Sequence, residues 1–81
     1  MKVKVKLFAI LREIAGCGET MFEVPEEVSC EEVLFHLQTE IPALSSVLEP
    51  CLVAINGRYV DKAIKVSEGD EVAILPPVSG G

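Results

Sequence analysis

An 81-residue chain that is 49% apolar has material for one compact domain with one core and too little for two. Seven basic against thirteen acidic residues leave a net charge of −6, which argues against nucleic acid as a partner and suits a basic docking surface. The apolar residues fall in short broken runs, too short to cross a membrane, and the charged, alternating Met1-Lys2-Val3-Lys4-Val5-Lys6 lacks the core of an export signal, so a cytoplasmic location is expected.

From Lys2 to Phe8 basic and apolar residues alternate, with Val3, Val5 and Leu7 on one face, as in a strand with one side on a core. Residues Ile10 to Ala15 suit a short helical segment ended by Gly16 and Gly18. Thr20 to Val24 reads as a second strand, antiparallel to the first and closed by Pro25.

Ser29 and Glu32 have the spacing of a capping box, Val28 and Val33 that of a hydrophobic staple. Val33, Leu34, Leu37 and Ile41 recur at helical spacing, and Glu31 and Glu32 favour the positive end of the helix dipole. Pro42 ends this helix or opens a short second one through Leu48.

Cys51 to Ile55 is an apolar run of strand length. Asn56-Gly57 is a two-residue hairpin signal leading into Arg58-Tyr59-Val60. Ile64 to Val66 suits a short extended piece, Glu68-Gly69-Asp70 a turn, and Glu71 to Leu75 a last strand. Pro76-Pro77 stops that strand, and Val78-Ser79-Gly80-Gly81 lacks the bulk to pack as an element. The expected division is therefore a folded body, residues 1–75, and a tail, residues 76–81.

A hairpin, a helix and then further strands predict an α+β fold. One main helix packed across one face of a mixed sheet buries both apolar faces, with a right-handed crossover making the first and last strands parallel neighbours. That is the β-grasp, or ubiquitin-like, architecture.

Catalytic constellations are scarce. Cys17, Cys30 and Cys51 are odd in number and form no CxxC pair, so neither a disulfide framework nor a metal site is expected. Cys30 or Cys51 could be imagined with His36, the single histidine, but spacing does not bring them together. Asp70-Glu71 suits a turn better than a pair of acids, and Arg58, Lys62 and Lys65 read as solvated charges.

The tail differs. Two glycines pass through a narrow channel that a Cβ would obstruct. A terminal carboxylate is a poor electrophile until adenylation by ATP makes it a mixed anhydride, after which sulfide would leave a thiocarboxylate. Strand parity adds a surface beside it. Continuing Lys2, Lys4 and Lys6 puts Phe8 on the outer face of the sheet, and Val72 and Ile74 in the core turn Leu75 outward. Phe8 and Leu75 should then form an exposed apolar patch at the root of Pro76-Pro77.

The run Gly69-Asp70-Glu71-Val72-Ala73-Ile74-Leu75-Pro76-Pro77-Val78-Ser79-Gly80-Gly81 resembles the end of the small, sulfur-carrier subunits of molybdopterin synthase. Phe8-Ala9-Ile10-Leu11-Arg12-Glu13 with Gly16, and Val53-Ala54-Ile55-Asn56-Gly57 with Tyr59-Val60, are similar to the opening and central hairpin of the same family. The resemblance spans the chain, and its specific part is Pro-Pro-Val-Ser-Gly-Gly.

It implies that an E1-like adenylating enzyme activates Gly81 with ATP, that a sulfur donor protein supplies the sulfur, and that Gly80 gives the tail access to the large synthase subunit. Phe8, Leu75, Pro76, Pro77, Val78 and Ser79 would contact that subunit. The sulfur would pass to cyclic pyranopterin monophosphate, two carriers serving each product in a heterotetramer. The chain would bind no resident cofactor and would not be catalytic alone. Other readings are a thiamine-pathway sulfur carrier, which usually lacks the Pro-Pro segment, a ubiquitin-like protein modifier, or a purely structural β-grasp module.

Overall fold

Alternation decides the first strand. In the computed structural model, which describes residues 1–77, β1 (Lys2–Leu7) buries Val3, Val5 and Leu7 and turns Lys2, Lys4 and Lys6 to the opposite face. It ends one residue earlier than the alternation suggests, because Phe8 opens a turn into helix α1 (Ile10–Ala15). Gly16, left-handed at φ 77°, caps that helix and donates its N–H to the Arg12 carbonyl. Strand β2 (Glu19–Glu23) returns antiparallel to β1, pairing Val3 with Phe22 and Val5 with Thr20.

The long helix α2 (Cys30–Glu40) begins where its cap requires. The Glu32 N–H donates to the Ser29 hydroxyl at 3.2 Å, and the Ser29 N–H donates to the Glu32 carboxylate at 3.0 Å. The Ser29 N–H, and after it the Ser29 hydroxyl donating to the same carboxylate at 3.2 Å, hold the Glu32 carboxyl below its ordinary range. Val28 and Val33, the two ends of the staple, are both buried. Cys30, Val33, Leu34 and Leu37 face the core, and Ile41 is the half-buried cap residue at the other end. Pro42 then starts a single 3₁₀ turn, Pro42–Leu44.

Strand β3 (Leu52–Ile55) and strand β4 (Arg58–Val60) form the hairpin that Asn56-Gly57 announces, with φ of 50° and 86° at the two turn residues. The extended piece expected at Ile64 to Val66 is reduced to an isolated bridge between Lys65 and Ser29. Strand β5 (Glu71–Leu75) inserts between β1 and β3, parallel to the first and antiparallel to the second. The sheet order is β2-β1-β5-β3-β4. One sheet face packs Val3, Val5, Leu7, Val53, Val72 and Ile74 into a core with Leu34 and Leu37 of α2 and with Leu11 and Leu44. The other face carries no helix, and this is what leaves a surface to use.

Candidate functional site

β5 and β1 run parallel, so their C-terminal ends emerge together. Leu7 pairs with Ile74, and Phe8 and Leu75 follow at the same end of the sheet. Phe8 is 42% exposed. Val72 and Ile74 are fully buried, while Glu71, Ala73 and Leu75 point to the open face, as parity requires. Leu75 is half-buried rather than free, because Leu52 of β3 lies directly opposite it in the register.

Leu52 is 44% exposed and enlarges the patch. Sequence reasoning missed it: Cys51-Leu52-Val53-Ala54-Ile55 is apolar throughout, so nothing marks which residues face out. The available signal was the Asn56-Gly57 turn, since counting back from a two-residue hairpin sets the parity. Across the same face Ala54 stands opposite Ala73, and Tyr59, strongly exposed, stands opposite Ala54. Leu52, Leu75, Ala73 and Tyr59, with the buried Ala54 between them, thus make one apolar strip over three strands. Its charged border is Lys6, whose Nζ lies 3.6 Å from the Glu71 carboxylate.

Pro76 is half-buried and Pro77 exposed, directly beyond β5. The remaining tail positions singled out from sequence, Val78, Ser79, Gly80 and Gly81, lie outside the described residues.

The other candidate groups serve the fold. Cys30 and Cys51 are buried, and burial pushes both thiols above their ordinary range; Asp70 and Asp61 push Cys30 the same way. The Cys51 thiol donates to the Val47 carbonyl at 3.1 Å. Cys17 is partly exposed. His36 stacks on Phe22, ring centroids 5.9 Å apart. Asp70 shapes a turn: its carboxylate accepts from the Ser67 N–H and from Asn56 Nδ2, while Asn56 Oδ1 accepts from the Glu71 N–H. Lys62 and Lys65, expected as free charges, donate to the carbonyls of Glu49 and Glu27 and strap loops together. Among the described residues no His, Cys, Asp and Glu cluster has the grouping of a metal site. No helix there is long and apolar enough to cross a membrane.

The model of the ThiS family matches residues 5–81. The chain belongs to the ThiS family. This ThiS-family chain is 43% identical, over the full length of both, to the molybdopterin synthase sulfur carrier subunit of Chlamydomonas reinhardtii. It is 38% identical to the subunit of that name from Dictyostelium discoideum, over 96% of this chain and 94% of the other. Among solved structures it superposes on SAMP1 from Haloferax volcanii with a TM-score of 0.88 at 32% identity, covering all of both chains. The family implied by Pro-Pro-Val-Ser-Gly-Gly is therefore the family found: ubiquitin-like sulfur carriers of the molybdopterin synthase type, with the β-grasp fold.

Proposed function

We propose that the chain works as a folded body, residues 1–75, carrying a reactive tail, residues 76–81, that delivers sulfur from Gly81 in molybdenum cofactor synthesis. An E1-like enzyme joins the Gly81 carboxylate to the α-phosphate of ATP and releases pyrophosphate. Sulfide delivered by a donor protein attacks the acyl-adenylate carbonyl, forming a C–S bond and expelling AMP, and leaves a thiocarboxylate. In the large subunit of molybdopterin synthase this sulfur displaces an oxygen substituent of cyclic pyranopterin monophosphate, and water then hydrolyses the resulting thioester, leaving the sulfur on the product and Gly81 as a carboxylate. Gly80 gives the tail access to the active site, and Phe8, Leu75, Pro76, Pro77, Val78 and Ser79 contact the large subunit. The whole cycle runs in the cytoplasm.

The observation that carries this reading is the apolar strip of Leu52 and Leu75 at the point where the tail leaves the sheet. A surface of that kind, once buried, fixes the point from which the tail starts. The cysteines fit the same reading. Two are buried with raised thiol pKa, which disfavours the nucleophilic thiolate.

Intact mass after incubation with the activating enzyme, ATP and a sulfur source tests it. The expected product is one oxygen-to-sulfur exchange located at Gly81, retained when Cys17, Cys30 and Cys51 are replaced one at a time. A chain lacking Gly81 should fold as before and transfer nothing. Wild-type product yield from that truncated chain would sink the mechanism.

A second reading has one specific support: the Haloferax volcanii relative is a small archaeal modifier protein. In that case the activated Gly81 would be captured by a lysine amine. Isopeptide adducts in place of the thiocarboxylate would decide for it.

A further inference from the structure

Phe8, Ala9 and Ile10 connect two fully buried residues, Leu7 and Leu11, and all three are exposed. Ala9 has φ 51° and ψ −127°. The Leu11 N–H donates to the Phe8 carbonyl at 3.1 Å, which closes a turn with Ala9 at the first central position of type II′. Glycine takes that conformation freely, whereas an alanine Cβ is strained in it. The neighbours are as poorly suited to a solvated turn: Phe8 is 42% and Ile10 48% exposed. Gly-Asn or Gly-Ser would make the same connection with less strain and less apolar surface in water. A local rule broken without return inside the fold marks a functional segment.

The turn also lies in the right place. Leu7 is in register with Ile74, so it leaves the sheet beside Leu75 and the tail root. Moving Ala9 to a negative φ requires the Phe8–Ala9 peptide to turn over. That would take the Phe8 carbonyl away from the Leu11 N–H and re-aim Phe8. A residue that keeps φ positive at this position therefore keeps Phe8 in place, which alanine and glycine can do and a β-branched residue cannot.

We infer that Ala9 is a positioning residue that holds Phe8 for the large synthase subunit, and that Ile10 is a further contact of the same docking surface. This rests on the carrier reading above. The occupant is an apolar surface of the large subunit, continuous over Leu52, Leu75, Phe8 and Ile10.

The test is a binding titration against purified large subunit, with denaturation midpoints taken in parallel, for wild type, Ala9→Gly, Ala9→Val and Ile10→Asn. Glycine keeps the turn, so Ala9→Gly should bind within about threefold of wild type. A β-branched residue cannot keep it, so folded Ala9→Val should bind at least about tenfold more weakly. Ile10→Asn should lose at least about tenfold with a midpoint no lower than wild type, asparagine being at home in turns. Should valine unfold the chain, the Gly and Asn variants still decide. Ile10→Asn at wild-type affinity overturns the contact, and folded Ala9→Val at wild-type affinity overturns the positioning role. Ala9→Gly losing as much as Ala9→Val would mean that the methyl itself is the contact, which also overturns it. In those cases the carrier reading stands; wild type failing to bind at all removes that reading and this inference together.

Discussion

The uncovered face of the sheet has two halves of opposite character. Over β2 and β1 it is mostly charged, with Met21 exposed among the lysines and glutamates: Lys4 lies 3.9 Å from Glu19, and Lys6 reaches across to Glu71 of β5 at 3.6 Å. Over β5, β3 and β4, past Glu71 at the border, it shows Ala73, Leu75, Leu52 and Tyr59. Both halves stand on the same backbone ladder and above the same core, so the fold alone does not require the difference. The charged half satisfies water and protects the β2 edge from strand addition. The apolar half gains little from water and sits where the tail emerges. A face that the domain does not need to bury, apolar over a continuous strip beside the tail, has a partner's surface as its natural complement.

Substitutions can break that comparison, and the largest effect belongs beneath it. Ile74→Asp puts a carboxyl into the buried core between Leu7 and Val53 and should cost about 3 kcal/mol or more of stability, read as a fall in denaturation midpoint. Leu75→Asp, one residue along and on the other face, should fold nearly as wild type while losing about 2 kcal/mol of affinity for the large subunit. Leu52→Asp should behave like Leu75→Asp, since the two are cross-strand partners. If Leu75→Asp unfolds the chain and Ile74→Asp only weakens docking, the two faces have been assigned the wrong way round.

A smaller effect comes from a site remote from both halves. Ser29→Ala removes the acceptor of the Glu32 N–H and should cost about 0.5–2 kcal/mol in unfolding while leaving docking unchanged. The same cap sets a pH dependence. The Glu32 carboxyl is lower in the folded than in the unfolded chain, so its contribution is complete above the ordinary glutamate range. It is lost as pH falls through the lowered folded value. Glu32→Gln should flatten that acid limb of the stability curve, and an unchanged limb would assign it elsewhere.

The smallest effect tests the charged half directly. Lys4 and Glu19 are both substantially exposed, so Lys4→Ala should cost at most about 1 kcal/mol and Glu19→Gln no more. Neither should alter binding of the large subunit beyond a salt-dependent change in association rate. A large loss of affinity from Lys4→Ala would move the docking surface onto the half we assign to solvent.

Legibility followed the range of the interactions involved. The capping box at Ser29 and Glu32, the staple of Val28 and Val33, and the Asn56-Gly57 turn are made by residues within five of one another, and all were readable. Phe8 was assigned to the outer face by parity, yet it stands just beyond β1: the strand's end is decided by Leu11 having to reach the core. Lys62 and Lys65 looked like solvated charges because their acceptors, the carbonyls of Glu49 and Glu27, lie 13 and 38 residues away. Leu52 was hidden in an apolar run with no alternation to orient it.

By itself, the sequence determined the main helix and the strands other than the expected piece at Ile64 to Val66, the parity of β1 and β5, and the family, because each depends on short periods or on a motif of contiguous residues. Only the tertiary structure decided that β5 lies between β1 and β3, that Leu52 covers Leu75, and that the turn at Ala9 opens beside the tail. Strand neighbours and their register are chosen by which apolar faces can share one core. That choice joins residues far apart in the chain, and no local pattern records it.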